Sequence, residues 1–326
     1  MDIKTKEQYI QLLCAAYWIV SYIILPSLST GLLFYVALFT GYSHLAFLYM
    51  IWAFYDKETP FRGGRKISFL RKISFWKYFI DYFPIKLIKT ADLNGDKNYI
   101  FCYYPHGVLP AGIFGCFGNE LSSCKELFPD LNMHCTTLDI NFNVPFYREW
   151  CMGIGGISSS KESIKYILDD KKKGNVAVIA VGGASESFFA TPGPYRIILK
   201  NRRGFVKIAL EQGANLVPVF GFGEIELFKQ NNPPGSMLYK IQVMVKKYFG
   251  FAPLMPLGRG IFINKGLAPY NTPINVVVGK AIEVPKIIDP SNEDIEKYHS
   301  LFSEELVNLF NEYKDKYTEN GELVIQ

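Results

Sequence analysis

The sequence predicts an α/β fold, a mostly parallel sheet covered by helices, preceded by an N-terminal transmembrane hairpin. Three observations predict it. Residues 8–55 contain no Asp, Glu, Lys or Arg. Beyond position 90, short unbroken apolar runs alternate with stretches of helical period, the pattern of a sheet buried on both faces. Two of those runs end in turns that carry polar groups, Tyr104-Pro105-His106-Gly107 and Val181-Gly182-Gly183-Ala184-Ser185-Glu186. Sites in such sheets gather at the carboxyl ends of strands.

The hairpin comes first. Glu7 and Asp56 bracket the uncharged stretch. One bilayer crossing needs about 20 apolar residues, so the length suits two crossings or a re-entrant hairpin. Pro26-Ser27-Leu28-Ser29-Thr30-Gly31 favours a turn, which places the membrane segments at about residues 10–25 and 32–55 of a 1–57 unit. A cleaved signal peptide is the competing reading, but the apolar stretch is too long and lacks a basic lead with a small-residue cleavage site. A buried pair of core helices is the other alternative. Lys4 and Lys6 precede the stretch; Arg62, Arg65, Lys66, Arg71, Lys72 and Lys77 follow it. Short basic flanks stay cytoplasmic, so both ends are expected in the cytosol. No Asn-x-Ser/Thr acceptor occurs, and the six cysteines, at 14, 102, 116, 124, 135 and 151, show no CxxC or metal-ligand spacing. Reduced thiols fit the same compartment.

Residues 58–90 form a basic connecting segment. Leu70, Ile73, Trp76, Ile80 and Phe83 recur at helical spacing with Lys72, Lys77 and Asp81 between them. That suits an amphipathic helix in the headgroup region and equally a surface helix packed on the body. The net charge of +5 is mild, and attraction to anionic lipid explains it better than nucleic acid does.

The remaining residues, 91–326, suffice for one large domain. Strands are expected at Tyr99–Tyr104, His134–Leu138, Asn175–Val181, Leu216–Phe222 and Ile274–Val278. A helix is expected from Ser159, where Ser159-Ser160-Lys161-Glu162 has the form of a capping box, to about Gly174. Gly204–Gln212 reads as a helix closed by Gly213, and a last helix starts after Pro290 with an apolar face of Ile295, Tyr298, Phe302, Leu306, Leu309 and Tyr313.

Three places suit chemistry. His106 follows a buried strand directly, and a neutral imidazole there takes a proton from an alcohol near pH 7; a structural turn histidine is the bland alternative. His44 lies in the membrane segment, His134 begins a strand, and His299 reads as a partly exposed helix position. Gly182-Gly183 allows backbone amides to approach a ligand closely, while Glu186 orients His106, holds a substrate hydroxyl or merely favours a helix dipole. Arg202 and Arg203, before a helix start, suit an anion such as the phosphates of a nucleotide-like carrier, or a solvated basic turn. No phosphate-binding or dinucleotide motif is present. Gly183-Ala184-Ser185-Glu186-Ser187 resembles a nucleophile elbow but ends in Ser where Gly is usual. With Asp289 and His299 downstream, a membrane-bound serine lipase or esterase using Ser185 is the runner-up from a different class.

The ordered blocks Tyr82-Phe83-Pro84; Tyr104-Pro105-His106-Gly107; Asn141 to Glu149 with Pro145 and Arg148; Gly182 to Glu186; Asn201 through Gly223-Glu224; Gly258-Arg259-Gly260; Val277-Val278-Gly279; and Tyr298-His299 carry a resemblance. The chain resembles the diacylglycerol acyltransferase type 2 family, which includes monoacylglycerol and wax-ester acyltransferases, from the hairpin to about residue 317. The resemblance implies a glycerolipid-acyltransferase-like fold and an acyl-CoA-dependent transferase of the endoplasmic reticulum and lipid droplets. It implies acyl-CoA and diacylglycerol, or another neutral-lipid alcohol, as substrates, membrane lipid as a partner, and no cofactor, metal or nucleic acid. Self-association into a homo-oligomer is left open. His106 is the position the resemblance assigns to catalysis. Tyr104 stands where the family usually has a first histidine. Ala111 stands where phosphate-glycerol acyltransferases usually carry Asp, so Glu186 is the expected support for His106. The candidate substrate-contacting residues are Tyr104, Pro105, Gly107, Asn141, Gly182, Gly183, Arg202 and Arg203.

Overall fold

The structure, a computed structural model, describes residues 3–230, 235–260, 265–319 and 321–326. The side chain of Lys4, part of the expected basic lead, lies outside the described residues.

Three helices lead the chain: α1 (Ile3–Ile23), α2 (Leu25–Phe39) and α3 (Ser43–Tyr55). The chain bends between α1 and α2 beside the Pro/Gly signal, and it reverses again between α2 and α3 at 40–42, where no break was expected. Pro26 sits in the first turn of α2, where its missing N–H costs nothing. Ser29 and Thr30 turn their hydroxyls back onto the Pro26 carbonyl, so this polar stretch continues as helix. Thr40 serves the α2–α3 turn, donating to the Val36 carbonyl and accepting from Tyr42 N–H. α1 and α2 meet at 59°, and among the described residues no single helix is long and apolar enough to cross a membrane. α1 is part of the body. Its Leu12, Ala15, Trp18 and Ile19 are buried, and Trp18 meets Phe79 edge-on. α2 and α3 instead leave Leu28, Phe34, Leu38, Phe39, Phe47 and Phe54 exposed. Apolar surface on that scale marks a membrane or protein contact.

The segment after the hairpin is two short helices, α4 (Ser68–Lys72) and α5 (Phe75–Tyr82), followed by strand β1 (Lys86–Lys89). One face of α5 packs on the body. Trp76, Phe79 and Tyr82 are buried under α1, and β1 joins the main sheet. The body's sheet therefore begins inside the stretch assigned to the interface.

The remaining strands are β2 (Tyr99–Tyr104), β3 (Asn132–Thr137), β4 (Gly156–Ser158), β5 (Asn175–Ala180), β6 (Tyr195–Ile197), β7 (Asn215–Phe222), β8 (Lys229–Gln230), β9 (Pro256–Leu257), β10 (Asn275–Val278) and β11 (Leu323–Ile325). Seven form one sheet in the order β1-β10-β7-β2-β5-β3-β4. All its ladders are parallel except β10 against β7. Side chains alternate across β2. Tyr99, Phe101 and Tyr103 join the core that also holds α1 and α5, while Ile100, Cys102 and Tyr104 join the core on the other face.

Helices cover both faces: α6 (Ala111–Phe117), α7 (Cys124–Leu127), α8 (Tyr147–Gly153), α9 (Lys161–Ile167), α10 (Gly183–Glu186), α11 (Gly204–Gln212), α12 (Met237–Phe249) and α13 (Asn292–Tyr317). α11 ends at Gly213 with φ +65° as expected, and Ser291 and Asp294 form a full capping box on α13. The cap of α9 is Ser160 rather than Ser159, because Ser159 N–H is held by Thr137 O at the end of the β3–β4 ladder. His299 is buried, not partly exposed, with Nε2 3.0 Å from the Leu199 carbonyl. The six cysteines are free thiols, five of them buried.

Candidate functional site

β7, β2 and β5 run parallel and side by side, so their carboxyl ends open on one edge of the sheet. Each end delivers one polar residue to a common place: Glu224 after β7, His106 after β2 and Glu186 after β5.

Both glutamates are 1% exposed, and both grip backbone. Glu186 Oε1 accepts from His106 N–H at 2.5 Å, and Oε2 accepts from Ile198 N–H at 2.8 Å. Glu224 Oε1 accepts from Ala111 N–H at 2.7 Å, while Oε2 accepts from Gly112 N–H at 2.9 Å and from the Tyr103 hydroxyl at 2.5 Å. The His106–Gly112 loop is thus clamped at its start by one carboxylate and at its end by the other. Burial pushes both carboxyls up to about 7, against the pull of their N–H donors. Gly107 lies in the clamp with φ +65°, where a Cβ would stand 2.9 Å from Glu224 Cγ. Gly112 is equally confined, since a Cβ there would run into the Tyr103 hydroxyl.

His106 Nδ1 lies 3.0 Å from the Gly107 carbonyl and 3.3 Å from Ser187 Oγ. A carbonyl only accepts, so Nδ1 carries the proton and Nε2 keeps its lone pair. Burial lowers the pKa of the ring, opposed by the Gly107 carbonyl. The imidazole is therefore neutral at pH 7 and has the form of a general base.

His106 lines an open cavity that encloses about 1240 Å³, the solvent at its mouth included. Its wall is apolar and comes from distant parts of the chain: Trp18 and Tyr22 of α1, Trp76 of α5, Leu109, and Tyr147 and Trp150 of α8. Gly183, Ala184 and Ser187 line it beside His106. Among the described residues the N–H groups of Gly183 and Ala184 find no backbone or side-chain acceptor.

The sequence candidates divide. His106 and Gly183 line the cavity, Gly107 and Gly182 are their chain neighbours without lining it, and Glu186 lies behind them acting on backbone and not on the imidazole. Arg202 joins them through Nη2 to the Gly182 carbonyl at 2.8 Å. Arg203 turns away to an exposed ion pair with Glu296 at 2.7 Å. Tyr104 and Pro105 are buried, and Tyr104 belongs to the core on the opposite face, 6.5 Å from the Phe302 ring. Asn141 donates to Thr137 Oγ1 at 2.8 Å and so supports a residue of the cavity wall without lining it. The hydrolase constellation is not assembled. Ser185 Oγ is bonded to Lys246 Nζ, and the His299 ring is held by Leu199 O.

Sequence reasoning missed Glu224, Ser187 and the cavity role of α1. A signal for Glu224 was present: it is the first charged residue after the apolar run Leu216–Phe222, at a strand's carboxyl end. The contact of Ser187 with the ring had no sequence signal. That α1 walls a cavity follows only from its docking on α5.

A family model described as diacylglycerol acyltransferase matches residues 35–326. The chain is 43% identical to the 2-acylglycerol O-acyltransferase 1 of Bos taurus, over 97% of this chain and 96% of that one. It is 43% identical to the diacylglycerol O-acyltransferase 2 of Xenopus tropicalis, over 95% and 86%, and 40% identical to that of Homo sapiens, over 95% and 81%. Among solved structures, the 1-acyl-sn-glycerophosphate acyltransferase PlsC from Thermotoga maritima aligns over 94% of this chain with a TM-score of 0.41 at 10% identity. That likeness is distant, and the fold stands on the strand order given above. On the sequence matches, the chain belongs to the diacylglycerol acyltransferase family, and it is an acyltransferase with an acyl donor and a lipid acceptor as substrates.

Proposed function

We propose that the enzyme transfers a fatty acyl group from acyl-CoA to the hydroxyl of diacylglycerol, at the membrane of the endoplasmic reticulum, with His106 as general base. One observation carries this reading: an apolar cavity joins the neutral imidazole to α1, the helix that leads into the exposed hairpin. A water-insoluble acceptor enters such a space from lipid, and the soluble donor meets it at the strand ends.

The step balances without a metal or a covalent enzyme intermediate. His106 Nε2 takes the proton of the acceptor hydroxyl as its oxygen bonds to the thioester carbonyl carbon. The N–H groups at Gly183 and Ala184 are placed to receive the developing oxyanion. Collapse breaks the C–S bond, and the CoA thiolate leaves and takes back the proton. Monoacylglycerol is the second acceptor to weigh, because the relatives named above split between 2-acylglycerol and diacylglycerol enzymes; a wax alcohol is the third.

Purified full-length chain is incubated with labelled acyl-CoA and a panel of diacylglycerol, monoacylglycerol and long-chain alcohol. Triacylglycerol as the main product supports the reading. Diacylglycerol or wax ester as the main product moves the acceptor, and free fatty acid alone overturns acyl transfer.

A further inference from the structure

Two cations converge on the Gly182–Ser185 turn, and although the Arg202 charge acts on the Glu186 carboxyl, no carboxylate among the described residues forms an ion pair with either. Arg202 reaches it with Nη2 on the Gly182 carbonyl, and its buried Nε bonds to no acceptor among the described residues. Lys246 reaches it from α12, with Nζ on Ser185 Oγ. Among the described residues neither forms an ion pair with Asp or Glu, whereas the neighbouring Arg203 and the surface residue Lys165 both do. The two charges feel each other: burial, and after it the Arg202 guanidinium, hold Lys246 below its ordinary range. Glu186, the nearest buried carboxylate, is already occupied by two backbone N–H groups. Like charges kept together on one turn are stabilised by an anion between them.

The turn connects this pair to the reaction. Gly183 and Ala184 line the cavity beside His106, and a Cβ on Gly183 would stand 3.9 Å from Arg202 Nη2. A thioester at His106 with its acyl chain in the cavity leaves its carrier to run past this turn towards the two cations. We propose that Arg202 and Lys246, with the Ser185 hydroxyl, bind phosphate groups of the nucleotide carrier of the acyl donor. The inference rests on the reading of acyl-CoA as donor.

A lipid headgroup offers the same phosphate chemistry, but the helix argues for the soluble carrier. Met237, Ile241, Met244 and Tyr248 form an exposed apolar stripe on α12, with Val243 exposed beside it. Lys246 is two residues from both Met244 and Tyr248, about half a turn round the helix, and so faces the body. An approaching bilayer meets the stripe, not Lys246.

The test uses the full chain in uncharged detergent–lipid micelles with two donors, oleoyl-CoA and oleoyl-pantetheine, the second lacking every phosphate. Lys246→Met keeps most of the stem and removes the charge. It is expected to raise KM for oleoyl-CoA roughly tenfold, the scale of one lost charge-assisted hydrogen bond. kcat should change little and KM for oleoyl-pantetheine should stay within about twofold. Lys246→Arg should restore KM for oleoyl-CoA, and salt should shrink the wild-type preference for oleoyl-CoA. Equal rises for both donors, or no rise for either, overturn the site, because Lys246 then only props the turn. A KM effect that appears only when phosphatidic acid is added to the micelles assigns the pair to a headgroup and overturns it too. A wild-type chain that turns over neither donor overturns the donor reading itself, a separate result from any variant's.

Discussion

Glu186 Oε1 takes the backbone N–H of His106, not its ring, at 2.5 Å. The carboxylate closest to the proposed general base therefore fixes where the residue sits. The ring's own proton is held by the Gly107 carbonyl, with the Ser187 hydroxyl alongside. Ala111, at the place where a carboxylate often supports such a histidine, gives its N–H to Glu224 instead.

A residue that acts through backbone leaves a particular kinetic signature. Glu186→Gln keeps one acceptor for two N–H groups and leaves the other unsatisfied, a cost of about 1–3 kcal/mol. The expected result is a kcat about tenfold lower with the acid limb of the pH–rate profile unmoved, and Glu186→Ala lower still. A displaced acid limb in Glu186→Gln would show that the carboxylate exchanges protons with the ring.

His106→Ala should lower acyl transfer by roughly 10²-fold or more, the usual scale for a lost general base, with the thermal unfolding temperature kept. Because burial lowers the ring's pKa, the wild-type rate should fall on acidification only below the ordinary histidine range. Ser185→Ala should do far less, since its hydroxyl faces Lys246. The hydrolase reading wins if Ser185→Ala abolishes turnover and His106→Ala does not.

What the sequence made legible was local. β2, β5, β7 and α11 lie within one residue of their expected bounds, because unbroken apolar runs and a Gly stop encode them in a few adjacent residues. His106 at a strand end was readable for the same reason. The bend between α1 and α2 falls beside the Pro26 signal, but Pro26 serves there as a first-turn helix residue, and the second break at 40–42 was not expected. The pairing of Glu224 with Tyr103 and Gly112 spans more than a hundred residues. No local pattern reports it, although β7 ending in a carboxylate hinted at it. Tyr104 shows the limit of a motif: His106, two residues on, lines the cavity, but the alternation of β2 turns Tyr104 into the opposite core.

That placement makes Tyr104 a packing residue with an orphaned polar atom. It is fully buried and its hydroxyl bonds to no partner among the described residues. Tyr104→Phe should keep the turnover and hold or raise the unfolding temperature, since a buried unsatisfied hydroxyl is a cost. Tyr104→Ala should destabilise by about 3–5 kcal/mol, the range for a large aromatic cut to Ala. Lost turnover in a folded Tyr104→Phe chain would put the hydroxyl in the chemistry.

The hairpin is short for a full crossing. α2 has 15 residues and α3 has 13, about 22 and 20 Å of helix against about 30 Å of hydrocarbon. The Thr40–Tyr42 turn should therefore stop inside the bilayer. In sealed microsomes, tags at both termini should be open to protease. An impermeant maleimide should not modify Gly41→Cys beyond the parent chain's background from either side. Labelling from the lumen would show that the turn crosses.

Glu224 gives the fold a pH dependence of definite sign. Burial raises its pKa from the ordinary 4.5 to about 7, so between those values the folded chain holds a proton that the unfolded chain has lost. Stability from this group is full below about pH 4.5 and is lost as pH rises through about 7. Glu186 is raised likewise and adds in the same direction. The unfolding temperature of the wild-type chain should therefore carry a downward slope from these groups between about pH 4.5 and 7. Glu224→Gln cannot ionise and should flatten that slope, and the double variant with Glu186→Gln should flatten it further, whatever either costs at pH 5. Activity should follow a different course. Glu224 holds Ala111 and Gly112 but touches no reacting atom, so Glu224→Gln should lower kcat without moving the acid limb set by His106. If wild-type and Glu224→Gln lose stability in parallel across that interval, Glu224 does not hold a proton there in the folded chain.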